Sequence, residues 1–474
     1  MSIKKIIMIE PRSPGKHIYS RYPLPRLGLP ILGTIAARRG CDVSVVIEEL
    51  SPVDMAKVRE ADLLCISTIT STALSAYRLA DEARACGVTV VMGGPHVTFL
   101  PDEALQHADY VIRGEAERSF PLFLDMLDGK CSPEEVPGLS FYLDGQVRHN
   151  PLEKKPIVLD EVPIPDMSLL AGMDNQRFYR GVIPMATSRG CPHHCKFCSV
   201  TPIFGHKMRF ASPERVAEEL ESYRGKGDWV FFYDDNFCGS PTHTKKLLDY
   251  LLTRQVFLPT WCAQVSVRAA QDEEMLALMQ RSGCRSVFVG FESINNESLA
   301  LLHKRQAVDD IRLAVRRFHK YGMHVHGMFI LGADTDTVET VHETARFICK
   351  ERIDSVQLLI LVPLPGTQVF EEMEAEDRIL TRDWSLYDAH HAVFRTKNMS
   401  PYTLMNEATK ATRKVYSIRR GLGFLMRGKI RAVVINRYGA LQVRRWYKEN
   451  RELLEEAFRN SMASSQVDGA MAGS

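Results

Sequence analysis

The sequence predicts an α/β chain in two parts: a doubly wound parallel sheet, then a partial barrel of six βα units, with a helical segment after them. Three observations predict it. Short β-branched or apolar runs alternate with helical stretches over the first 135 residues. A proline-rich stretch follows, carrying Pro151, Pro156, Pro163 and Pro165. A second alternation of strand and helix then runs to about residue 361. Strands that alternate with helices pair in parallel, because each helix carries the chain back across the sheet.

The first series has strands at Ile6–Glu10, Val43–Ile47, Leu63–Ile69, Val88–Met92 and Tyr110–Ile112. Between them, helices span Leu29–Arg39 and Ser71–Cys86, stopped by Gly40 and Gly87, since a glycine just past a helix is its usual cap. Leu139–His149 reads as a hairpin turning at Asp144-Gly145. In such sheets a ligand lies outside the carboxyl ends of the strands. The loops there are Ser67–Ser71, Gly93-Gly94-Pro95-His96 and Gly114-Glu115-Ala116-Glu117. The second series has strands at Ile183–Thr187, Trp229–Tyr233, Thr260–Gln264, Ser286–Phe291, His324–Leu331 and Ser355–Leu361. Helices at Pro213–Tyr223, Glu273–Gly283, Ala307–Tyr321 and Thr337–Lys350 alternate with them. The boundaries read as a first domain over 1–150, a linker over 151–178, a barrel over 179–380, a helical basic region over 381–460 and a disordered tail over 461–474.

Hydrophobic residues make up 45% of the 474 and charged residues 25%, which excludes a disordered or fibrous chain. Sixty basic and 58 acidic residues balance to +2, so no nucleic-acid partner is expected. The balance hides a bias: residues 401–460 carry 14 Lys/Arg and five Glu, suiting either a solvated cap or weak contact with an anionic membrane surface. No apolar run approaches the length of a membrane span or a signal core, so a cytoplasmic location is expected.

The chain has 11 cysteines, of which three are crowded into Cys191-Pro192-His193-His194-Cys195-Lys196-Phe197-Cys198, just after a strand. Thiolates at C-x3-C-x2-C spacing can share one iron–sulfur cluster, and three ligands leave a fourth iron open. The competing reading is a zinc site completed by His193, His194 or Cys238. It lacks the second ligand couple that structural zinc usually has.

This motif resembles the signature of the radical S-adenosylmethionine (SAM) superfamily, C-x3-C-x-aromatic-C, with Phe197 as the aromatic. The resemblance implies a [4Fe-4S] cluster on Cys191, Cys195 and Cys198, with SAM chelated at the fourth iron and cleaved to a 5′-deoxyadenosyl radical after one-electron reduction. An external reductant such as flavodoxin or ferredoxin is then required. Asp234-Asp235-Asn236 falls where the family binds the SAM amino group. Gln264, Ser266 and Arg268 end or follow the next strand, Arg268 suiting the SAM carboxylate. Gly290-Phe291-Glu292-Ser293 resembles the family's G-x-E-S strand end, with Glu292 toward ribose. Gly327–Gly332 resembles the strand along adenine, ending at Gly332, and Pro363-Leu364-Pro365-Gly366-Thr367 resembles a loop near the end of this barrel.

A doubly wound domain ahead of that barrel resembles the cobalamin-binding class of the superfamily. It implies a Rossmann-like, cobalamin-binding-type first domain with Thr68, Thr70, Ser71, Gly93, Gly94, Gly114 and Glu115 at the cofactor. The D-x-H-x-x-G motif of many cobalamin domains is absent, and His17 lacks its aspartate. No histidine is therefore expected beneath cobalt, the nucleotide tail being held by the Ser67–Ser71 and Gly93-Gly94 loops. G-x-G-x-x-G is missing too, which argues against a nicotinamide dinucleotide.

The commonest outcome in this class is methyl transfer to an unactivated carbon or to phosphorus of a small molecule or lipid-like substrate. The alternative within enzymes is a radical cyclisation, rearrangement or oxidation; outside them, a non-catalytic cluster or corrinoid carrier. A methylthiotransferase would need three more cluster cysteines, and Cys41, Cys65 and Cys86 fall in or beside different elements. Tyr387, His390 and His391, just after the barrel, are the candidate substrate-side catalytic residues.

Overall fold

The computed structural model of the protein describes residues 3–15, 24–173, 181–450 and 452. His17 and the apolar residues Leu453, Leu454 and Phe458 of the basic region lie outside them, as does the expected tail over 461–474. Strands β1 (Lys5–Glu10), β2 (Asp42–Ile47), β3 (Leu63–Ser67), β4 (Thr89–Gly93) and β5 (Tyr110–Ile112) are parallel in the order β2-β1-β3-β4-β5. The order reverses between β1 and β3, and a crevice opens at such a switch point. β1, β3 and β4 are apolar runs buried on both faces, as parallel strands under helices must be.

The hairpin of β6 (Leu139–Leu143) and β7 (Gln146–His149) does more than turn. It extends the sheet antiparallel from β5, pairing Phe141 with Tyr110. The sheet is therefore mixed, not wholly parallel, because the three-residue β5 leaves an edge that the hairpin covers. The proline-rich stretch also packs closely. Its Leu170 bridges Val45, and the Asp166 N–H donates to Thr34 Oγ1 at 2.7 Å.

The second sheet holds β8 (Val182–Met185), β11 (Trp229–Phe232), β12 (Thr260–Val265), β13 (Cys284–Glu292), β14 (His324–Leu331) and β15 (Ser355–Ile360), all parallel and in chain order. It is a six-stranded partial barrel. Between β8 and β11, two-residue strands β9 (Ser188–Arg189) and β10 (Arg209–Phe210) pair antiparallel. That ribbon clamps both ends of the cysteine loop. Three helices follow the barrel at Pro401–Val415, Ile418–Leu425 and Ile430–Glu449. The Tyr416 hydroxyl donates to the Val356 carbonyl and accepts from its N–H, tying these helices to β15. Among the described residues, no helix is long and apolar enough to cross a membrane.

Candidate active site between the two domains

The carboxyl end of β11 fixes the approach to the cysteines. Asp234 is buried and accepts from the Thr187 N–H (3.1 Å), the Thr187 hydroxyl (2.7 Å) and the Ser188 hydroxyl (2.5 Å). Burial pushes this carboxyl up, and those donors pull it back. It thereby holds the strand that leads into Cys191. Asp235 faces the cavity described below, and burial together with the Asp234 carboxyl pushes it up to about 7. The Asn236 side chain bonds Cys191 and also accepts from the Ser266 N–H at 3.3 Å.

The three thiols are half-buried, and burial pushes Cys198 up to about 12. Lys304, unassigned in the sequence, supplies positive charge beside Cys195 and Cys198. Its ammonium donates to Glu292 Oε1 at 2.8 Å. Glu292 sits at a register shift at the end of β13 with φ 58°, a left-handed conformation of the kind that gathers at functional sites. Nothing in the pattern around Lys304 marked it, because its partner lies across a strand end. Gln264 is the second-last residue of β12, its carbonyl accepting from the Phe237 N–H at 2.9 Å. Arg268 is exposed, near enough to His193 to help hold that imidazole low, at about 4, after burial and Lys304. Gly332 has φ 97°; its N–H donates to Asp336 at 2.9 Å, and a Cβ there would meet Leu404.

The zinc alternative gains nothing. His194 stacks on His206 at 3.7 Å, and the Cys238 sulfur lies buried 3.9 Å from that of Met279. Among the described residues, no three His, Cys, Asp or Glu side chains gather as the ligands of a single metal ion would.

A cavity of about 480 Å³ lies between the two sheets' carboxyl ends. Gly93, Gly94, Gly114 and Glu115 wall it from the first domain, and Ser188, Arg189 and Asp235 from the barrel mouth. The walls are mostly apolar, with Leu27, Met92, Phe120 and Phe204 among them. Gly94 has φ 103°, and a Cβ on it would stand 2.6 Å from the Thr68 carbonyl, so only glycine lets these loops close together. Arg189 locks the domains across this space, reaching Glu115 at 2.6 Å and Glu117 at 2.5 Å, while Arg209 reaches Glu115 at 2.7 Å.

Other candidates fall elsewhere. Thr68, Thr70 and Ser71 do not line the cavity: Thr68 bonds Thr72 at 2.8 Å, and Thr70 bonds His96 Nδ1 at 3.3 Å. Tyr387 is buried between the domains, its hydroxyl donating to the Thr381 carbonyl at 2.7 Å. His391 lies between Asp388 (3.0 Å) and Asn450 (3.1 Å), and His390 packs near Trp446. None of these three lines the cavity, so the geometry adds no support to the catalytic expectation for Tyr387, His390 and His391.

A family model described as "Radical SAM superfamily" matches residues 185–348, and one described as "B12 binding domain" matches residues 18–124. The chain is 33% identical over 456 residues to an uncharacterized methyltransferase of Pyrococcus horikoshii, covering 91% of this chain and 94% of that protein. It is 30% identical over 422 residues to bacteriochlorophyllide d C-12(1)-methyltransferase of Chlorobaculum tepidum, covering 88% of each. The chain belongs to the radical SAM superfamily, with a B12-binding domain ahead of the barrel. A solved structure with the same fold is the radical SAM methyltransferase TsrM of Kitasatospora setae, with cobalamin and a [4Fe-4S] cluster bound. Its TM-score is 0.69 at 19% identity, covering 79% of this chain and 78% of that one.

The residues fit the groups this family carries. Three thiols on one clamped loop, beside a buried lysine, suit a cluster ligated from one side. A wide, largely apolar cavity floored by glycine loops suits the flat ring of a corrinoid. Among the described residues no histidine lines it. His96, at the edge of these loops, is held on both nitrogens by Thr70 and by the Tyr77 hydroxyl at 3.1 Å.

Proposed function

We propose that this chain is a cobalamin-dependent radical SAM methyltransferase acting on an unactivated carbon, or a phosphorus centre, of a small or lipid-like substrate. One observation carries the reading: a single cavity is walled by the glycine loops of the first sheet and by the barrel residues that flank the cysteine loop. The substrate would meet both cofactors in that space. When bound, the cluster and SAM supply a hydrogen-abstracting radical, and cobalamin supplies a transferable methyl group.

The chain's own residues supply position and shielding. Cys191, Cys195 and Cys198 hold the cluster, and Asp234 fixes the strand that presents them. Asp235 holds or accepts a proton at the cavity wall, and Lys304 keeps Glu292 Oε1 engaged while the other oxygen is offered to ribose hydroxyls. Apolar walls exclude water from the space where the substrate would meet both cofactors. Gly93, Gly94 and Gly114 allow close backbone approach to a corrinoid. A flavodoxin or ferredoxin as electron donor and a cytoplasmic location belong to the same proposal.

The test is anaerobic purification with iron and corrinoid assays, then reduction and incubation with SAM and candidate substrates. Both S-adenosylhomocysteine and 5′-deoxyadenosine are expected. Iron without corrinoid, even after cobalamin is supplied, would remove the methyl-transfer reading. 5′-Deoxyadenosine alone would favour a cyclisation, rearrangement or oxidation, and neither product a carrier.

A further inference from the structure

The C-terminal helices carry a surface that the site does not use. On the Ile418–Leu425 helix, Phe424 and Gly421 are buried, while Ile418, Leu422 and Leu425 stand four and three residues apart along one exposed face. Met426 and Ile430 continue the surface through the turn, and Val434 carries it onto the next helix. The exposure is high: 74% for Ile418, 84% for Met426 and 61% for Val434. Single exposed apolar residues are ordinary, but a contiguous set on one helical corner marks a surface that binds something.

Charge says what. From Ala408 to Lys448 the chain holds twelve Lys/Arg and no Asp or Glu. Arg419, Arg427, Arg431 and Arg437 are exposed around the apolar corner. We infer that this corner docks on an anionic lipid surface, with the apolar side chains entering the headgroup layer and the arginines meeting lipid phosphates. A protein partner would have to supply both an apolar groove and a dense acidic rim, whereas an anionic bilayer presents both at once.

The corner also has a fixed orientation. Lys429 pairs with Asp354 at 2.6 Å, and the Arg431 guanidinium lies 5.0 Å over the Trp229 ring. Asp354 immediately precedes β15 and Trp229 begins β11, so both mark the amino ends of barrel strands. The cavity lies at the carboxyl ends. The docked enzyme therefore turns its active-site mouth away from the bilayer, which makes the corner an anchor and not a substrate entrance.

The inference does not rest on methyl transfer, and its test does not read activity. Full-length protein is sedimented with vesicles of phosphatidylcholine alone and of phosphatidylcholine with phosphatidylglycerol. Binding is expected only with the anionic lipid, weakening as salt rises. Ile418→Ser/Leu422→Ser/Met426→Ser, and separately Arg419→Glu/Arg427→Glu, are each expected to weaken it about tenfold or more, with unchanged circular dichroism and melting temperature. Equal binding by parent and variants, or none to anionic vesicles, overturns the inference. Loss of a dimer in the triple-serine variant without vesicle binding would assign the corner to a second copy instead.

Discussion

The Arg189 guanidinium stands 2.6 Å from Glu115 Oε1, joining the loop after β5 to a residue two positions before the first cluster cysteine. Cofactor-binding halves that must meet across a cavity are held in register by this pair, with Glu117 on the same guanidinium and Arg209 on the same Glu115. Replacing Arg189 with Leu strands Glu117 beneath the surface and leaves Glu115 to Arg209 alone. Breaking a buried pair from one side costs about 3–5 kcal/mol, which urea unfolding midpoints will show. Glu115→Gln removes one charge and keeps its shape, and a smaller loss is expected. Both variants should retain less corrinoid on purification.

Cys195→Ala is expected to abolish cluster absorbance and 5′-deoxyadenosine formation together. Cys238→Ala is the control: its sulfur lies against Met279, away from the loop, and it should keep both while costing about 1 kcal/mol of stability. Retained 5′-deoxyadenosine in Cys195→Ala would overturn the ligand assignment.

Asp354 carries the acid sensitivity of the helical cap. Burial alone would raise its carboxyl, but the His319 bond (2.7 Å), the nearby His324 and Lys429 hold it well below the ordinary carboxylate range. A carboxyl with a lowered folded pKa stabilises fully above its unfolded value near 3.8, and that contribution is lost progressively as pH falls from there to the much lower folded value. Asp354→Asn should therefore cost about 2 kcal/mol at pH 7. The gap to the parent should begin to narrow below about pH 4 and keep narrowing at lower pH, measured by thermal melts across pH.

Gly366 has φ 79°, and a Cβ on it would run into the Phe99 ring of the other domain. Gly366→Ala is expected to lose about 1–3 kcal/mol through overpacking. Phe99→Ala in the same chain should recover part of that loss, since the ring is what the methyl meets.

Tyr387→Phe should leave turnover within twofold and cost about 1 kcal/mol, the worth of its hydroxyl bond to Thr381. A large fall in turnover with unchanged stability would restore Tyr387 to the catalytic set.

Strand positions were legible because each is a buried run of β-branched or apolar residues; Tyr110–Ile112 and His324–Leu331 coincide with the sequence reading residue for residue. The cysteine loop was legible because its ligands are local in sequence. Arg189 and Lys304 were not, since their partners Glu115 and Glu292 come from another domain and another strand end. Thr68 and Thr70 misled for the opposite reason. Hydroxyls at a strand end look available to a ligand until His96 and Thr72 are seen to occupy them. The place of the Leu139–His149 hairpin in the sheet depended on how short β5 is, which periodicity alone does not register.

One apolar cluster takes in Ile6 and Phe120 of the first sheet, Ile157 and Val162 of the linker, and Ile183 and Phe329 of the barrel. A core continuous across both sheets leaves no weak plane along which one half could melt while the other stands. The two halves are therefore expected to unfold in one cooperative step. Substrate and product must then pass through shifts of individual loops at the cavity rim, because the sheets cannot swing apart on a hinge without exposing the core they share.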